Sequence, residues 1–152
     1  MAYVTREARE QLLGTIAEAI EEIGVAVAAL GEAYEQLDEA SGDRLEEQLF
    51  RPVQAAYGRA QRTHAGFAER HELPGRAFAA ASAGLPSQGA RGFVEQTADA
   101  LEEADDILSE LQDSMMPVDV GDAELRAGLA AVRELIADGP DRARRFLSLL
   151  GR

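Results

Sequence analysis

The sequence predicts an all-α fold, an up-down-up-down four-helix bundle, and three observations carry that expectation. Apolar residues recur at steps of three and four along four long segments, the period of one helix face. No stretch shows β-type alternation of any length. Turn-forming clusters fall between the periodic segments, at Ser41-Gly42-Asp43, Leu73-Pro74-Gly75 and Met116-Pro117 through Gly121. A single domain over 1–152 can bury roughly 68–70% of the surface its unfolded chain exposes, enough for a self-sufficient core.

The first helix is expected from Thr5, a good N-cap, to about Ala40. Its stripe is Leu13, Ile16, Ile20, Ile23, Val27, Leu30, Tyr34 and Leu37, with acids opposite and the small residues Ala17, Gly24 and Gly31 along one flank. The second helix starts at Asp43, which with Glu46 three residues later resembles a capping box. It carries Phe50, Tyr57, His64 and His71 in one row, with Val53, Ala60 and Phe67 interleaved. Pro52 lacks an N–H and should kink or split this helix near its start. Residues 73–87 form the one long connection, where an Ala-rich turn containing Phe78 predicts a short extra helix crossing the end of the bundle.

The third helix is expected after Ser87 as its cap, with Ala90, Val94, Thr97, Leu101, Ala104, Leu108, Leu111 and Met115 inward. After the 116–121 loop, Asp122 caps a fourth helix with Leu125, Leu129, Val132 and Ile136 inward. Gly139-Pro140 breaks that helix, and a last piece runs from Asp141 to about Leu150.

Charge alternates in blocks. Residues 1–50 carry 3 Arg against 12 acids, 51–92 carry 6 against 2, 93–124 carry none against 11, and 125–152 carry 6 against 3. In an up-down-up-down square every neighbouring pair would then differ in sign. Exposed pairs contribute only ~0–1 kcal/mol each and are screened beyond ~8 Å, so they would bias neighbour choice rather than hold the bundle. The overall charge of −13 disfavours nucleic acid and anionic membrane as partners. No segment reaches the ~20 apolar residues of a membrane span, there is no leader-like apolar run, and Cys is absent. These features predict a cytoplasmic protein.

The chemistry-bearing residues are few. His64 and His71 share one helix face but stand roughly 10.5 Å apart along the axis, too far to ligate one ion. No inward Glu-x-x-His pair exists for a di-metal bundle, so neither a metal nor another cofactor is expected. Residues 84–91 have the glycine spacing of a phosphate loop without its Lys-Ser/Thr, and no nucleophile motif occurs; the sequence assigns no catalytic residue. Two functions remain. One is a non-enzymatic interaction or assembly module, a homodimer or a complex with another protein, received along Ala17, Gly24 and Gly31. The alternative is a bundle that binds a small apolar ligand or cofactor in a pocket formed by Tyr57, His64, Arg70, His71 and Phe78, with residues 73–87 as its lid.

Overall fold

The first helix, α1 (Ala2–Glu35), is apolar on more than one face, and that makes it the centre of the structure. Leu12, Leu13, Ile16, Ile20, Ile23 and Leu30 are buried, and so are Ala17, Ala19, Ala26, Ala29 and Ala33 on the flanks. A helix buried on so wide an arc takes neighbours on both sides. In this computed structural model, which describes residues 2–79, 84 and 86–150, the rest of the all-α chain is α2 (Glu39–Leu45), α3 (Arg51–Arg70), α4 (Gly89–Asp113), α5 (Met116–Asp119), α6 (Ala123–Ile136) and α7 (Gly139–Leu150). Among the described residues there is no strand, and no helix is long and apolar enough to cross a membrane.

Several helix ends differ from the sequence reading. Thr5 lies inside α1 rather than capping it, and α1 ends at Glu35. The second helical run begins at Glu39, because Asp38, not Asp43, accepts the Ser41 amide at 2.7 Å. Starting there brings Ser41 and Gly42 inside the helix, where both are buried and Tyr34 packs against Gly42. Pro52 has the expected local effect in an unexpected form. The turn before it, Glu46–Phe50, widens to a π-helix, with the Arg51 amide reaching back five residues to the Glu46 carbonyl. The extra residue keeps Leu45, Leu49 and Val53 all inward. Pro52 offers no N–H to the Gln48 carbonyl, which instead accepts from Arg142 Nη1 of α7 at 3.3 Å.

Ser87 does not cap α4. It sits in a 3-10 turn, Pro86–Gln88, and α4 enters through Gly89 at φ +77°, a left-handed conformation that glycine adopts without a Cβ penalty. The fourth helix follows the prediction. Asp122 accepts the Leu125 amide at 2.8 Å, and the break falls at Gly139-Pro140, both buried.

The directions of the helices do not follow the up-down-up-down order. Along α1, Arg6 meets Glu72, the His64 ring lies near the Leu13 carbonyl, Gly24 touches Tyr57 and Gly31 approaches Phe50, so α3 is antiparallel to α1. On the other flank Arg9 donates to the Val120 carbonyl, Thr15 and Glu18 face 107–114, and Glu22 meets Glu103, so α4 is antiparallel to α1 as well. Hence α3 and α4 run the same way, and the connection between them climbs the length of the bundle, giving up-down-down-up with one long crossover. Glu72 stands level with Arg6 while α4 starts near the far end of α1, roughly 40 Å away along the axis. The 17 steps from Glu72 to Gly89 cover up to ~56 Å if extended but only ~26 Å if helical. A wholly helical connection is therefore too short, and residues 73–79 contain no part of the expected short helix; residues 80–83 and 85, where the rest of it would fall, lie outside the described residues.

This topology also overturns the expected charge pairing. The most extensive helix contact joins α1 to α4, both acidic, and the next joins the basic α3 to α6, whose two Arg and two Glu cancel. Small residues decide it: Ala19 and Ala26 on α1 and Ala98, Ala100 and Ala104 on α4 are buried, while the acids of these helices point outward. Opposite signs still meet where α4 adjoins the last two helices, through Arg133 to Asp105 at 2.8 Å and through Arg144 to Glu102.

Candidate functional site

The second helical run ends in a left-handed turn that splits the predicted site. Glu72 takes φ +54°, its amide donates to the Glu69 carbonyl and the Leu73 amide to the Ala68 carbonyl at 2.8 Å, a Schellman closure without its usual glycine. From there the chain reverses and rises in the groove between α1 and α3. Tyr57, His64 and Phe78 come together under this rising strand. Arg70 and His71 do not join them.

Arg70 and His71 instead fasten α3 to the start of α6. Arg70 binds Asp122 through both Nε (2.8 Å) and Nη2 (2.9 Å), and its Nη1 reaches Glu124 at 2.8 Å. His71 Nε2 lies 2.9 Å from the same Asp122, and its ring packs on Phe67 with centroids 4.4 Å apart. Asp122 therefore serves as helix cap and as anchor for two side chains. The Arg70 bond, foremost, and then the Leu125 amide and His71 hold its carboxyl well below the usual carboxylate range, against the opposing effect of burial. These contacts tie the end of α3 to the start of α6.

His64 is the chemically unusual residue. It is 3% exposed, the Leu13 backbone carbonyl is near enough to its ring to oppose loss of the proton, and its Nδ1 has no hydrogen-bond partner among the described residues. Phe78 stands edge-on to it, with ring centroids 5.3 Å apart at 86°. Arg76 lies over the outer face of Phe78 at 4.8 Å and pairs with Glu21 of α1. Burial, and after it the Arg76 charge, push the His64 ring below its ordinary value of 6.5, only partly opposed by the Leu13 carbonyl. The imidazole is thus held neutral, with one buried ring nitrogen unused.

Beside Phe78 a groove of about 350 Å³ opens between α1 and the rising strand, lined by Glu21, Glu22, Val25, Tyr57, Arg76 and residues 77–79. The Tyr57 ring lies flat on α1 because Gly24 has no Cβ; one built there would come within 3.3 Å of the ring and of the hydroxyl. Burial raises the Tyr57 phenol, and burial followed by Glu103 and Glu21 raises the Glu22 carboxyl. The groove therefore offers aromatic and aliphatic walls, one phenol and two carboxylates. Among the described residues no cluster of three His, Asp or Glu could hold a metal ion. Glu21, Glu22, Val25 and Arg76 were not apparent from the sequence, because their place depends on the strand rising along α1. The spacing of Arg76 and Phe78 was the only available sign. Comparison with protein-family models, with curated proteins and with solved structures finds no match.

Proposed function

We propose that the protein is a non-enzymatic binding bundle for a small, mainly apolar ligand that carries one hydrogen-bond donor. The ligand enters beneath the rising strand, takes the place of Phe78 between Tyr57 and His64, and donates to His64 Nδ1. The observation that carries this reading is the unpartnered, buried Nδ1. A buried polar atom without a partner costs about 1–3 kcal/mol, so a core optimised only for stability would hold Leu or Phe there. Phe78, edge-on to that ring, lies on a segment with no helix or strand of its own. For the other reading, assembly with a second chain or another protein, the strip Ala17, Gly24 and Gly31 offers little free surface, since Ala17 and Gly24 are buried within the chain and Phe50 approaches Gly31.

A thermal-shift titration with phenol, an aromatic ring with one hydroxyl donor, tests the proposal. Phenol should raise the melting temperature of the wild type in a saturable way and leave His64→Leu unmoved. A equal response in both proteins, or none in either, would remove the reading. His64→Leu should itself gain about 1 kcal/mol at neutral pH, because the orphaned acceptor is gone.

The same variant carries a pH signature. His64 titrates lower in the folded chain than in the unfolded one, so stability is complete above about 6.5. As pH falls below that value the unfolded chain takes up a proton that the folded chain refuses, and stability declines until the folded value is passed. Wild type should lose stability from pH 7.5 toward ~5.5, and His64→Leu should be flatter over that window, as read from urea midpoints.

A further inference from the structure

On the face of α3 turned away from α1, the sequence leaves two cations unpaired in a chain with nearly two acids for each Arg. Arg59 is half-buried and Arg62 exposed, one turn apart, and neither has a carboxylate within ion-pair distance among the described residues. No acid occurs on the chain between Glu47 and Glu69, and Arg70 is already held by Asp122 and Glu124. These three guanidiniums border a groove of about 310 Å³ between α3 and α6, with Thr63 and Ala127 in its lining and Glu124 at its end.

Two glycines shape that border. Arg62 lies back along its own helix so that Nη1 would be 3.1 Å from a Cβ on Gly58, and Arg70 does the same over Gly66, with Nη1 at 2.9 Å. Each glycine inside a helix costs about 1 kcal/mol against Ala, and neither meets another helix. Their effect is to let the two long side chains lie flat and converge on the groove. Below them, Thr63 donates its hydroxyl to the Arg59 carbonyl at 2.8 Å, which leaves its oxygen free only to accept.

We infer that this groove is a binding site for a small phosphorylated molecule, separate from the pocket beneath the rising strand. Planar guanidiniums bind phosphate oxygens in pairs, and a half-buried Arg without an acid gains most from such a ligand. The volume suits a phosphate or diphosphate group rather than a polymer. The net charge of −13 does not prevent it, because the nearest acids other than Glu124 lie outside the groove and distant charge is screened within ~8 Å at physiological salt.

Titration with inorganic pyrophosphate, followed by amide and Arg Nε NMR shifts, tests the inference. Saturable shifts confined to Arg59, Arg62, Thr63 and Ala127 are expected, with affinity reduced about tenfold in Arg59→Ala and again in Arg62→Ala. Both side chains are at the surface of α3, so the melting temperature should stay within a few degrees. Gly58→Ala gives an independent check: it should raise the melting temperature while weakening pyrophosphate binding. Sedimentation with phosphatidylglycerol vesicles separates the source of the phosphate. Pyrophosphate binding without vesicle binding assigns a soluble ligand, and Arg59-dependent binding to both assigns a lipid headgroup. The absence of saturable shifts at ~5 mM pyrophosphate, or equal shifts in the double variant, would overturn the site.

Discussion

Asp122→Ala is expected to destabilise the protein by about 3 kcal/mol, with the loss concentrated at one end of the bundle. The substitution removes the N-cap of α6, worth about 1 kcal/mol, and leaves Arg70 and His71 without the carboxylate they share, at about 2 kcal/mol more. Asp122→Asn separates the two parts. It can still accept the Leu125 amide, so it should lose only the charged portion. Acid acts on the same contact. The folded carboxyl titrates below its ordinary value of 3.8, so its contribution is complete above that pH and disappears as pH falls through the lower, folded value. Urea midpoints at pH 7 and near pH 3 should therefore differ less in Asp122→Asn than in wild type.

Gly128→Val is expected to cost a similar amount, about 3 kcal/mol, by forcing two helices apart. A Cβ on Gly128 would stand 2.6 Å from Thr63 Cγ2 and 2.9 Å from Thr63 Cβ, and α3 and α6 are both too regular there to yield locally. The three nearest atoms all belong to Thr63, and two of them, Oγ1 and Cγ2, are lost when it becomes Ala. Thr63→Ala should accordingly recover part of the stability lost in Gly128→Ala, although the same change alone is destabilising or neutral. A double-mutant cycle read from denaturant midpoints should give a coupling of about 1 kcal/mol or more. Additive effects would mean that the helices do not cross at this pair.

The individual helices were legible because burial on one face imposes a period, and the signals at Asp122 and Gly139-Pro140 are local. Their directions were not. A 15-residue connection can turn at the bundle end or climb its side, and neither the spacing of Leu73-Pro74 nor that of Leu85-Pro86 distinguishes the two. The charge blocks pointed to the wrong neighbours because acids such as Glu18 and Asp106 face water, where screening removes their influence, while the alanines that set the α1–α4 approach carry no charge. Asp43 lost the cap to Asp38 for a similar reason: both have the right chemistry, and burial of Ser41, Gly42 and Leu45 selects the earlier start.

The predicted site was half legible. Tyr57 and His64 share a helix face with His71, but two turns of helix carry His71 to the bundle end, where Asp122 takes it. Phe78 reaches His64 because the segment after Leu73 rises along α1, a path that the sequence does not prescribe. The residues that complete the groove, Glu21 and Glu22, lie on the acidic face that the sequence reads as solvated.

The claim that most needs testing is that His64 Nδ1 is an acceptor waiting for a ligand. Nitrogen-15 NMR of the His64 ring reads that atom directly. In the free protein Nδ1 should resonate as an unprotonated nitrogen without a hydrogen bond, and phenol should move it saturably in the direction of an accepted hydrogen bond, together with Tyr57 and Phe78. A ring whose Nδ1 is already protonated or bonded, or whose shift ignores phenol while the rest of the protein responds, would contradict the account.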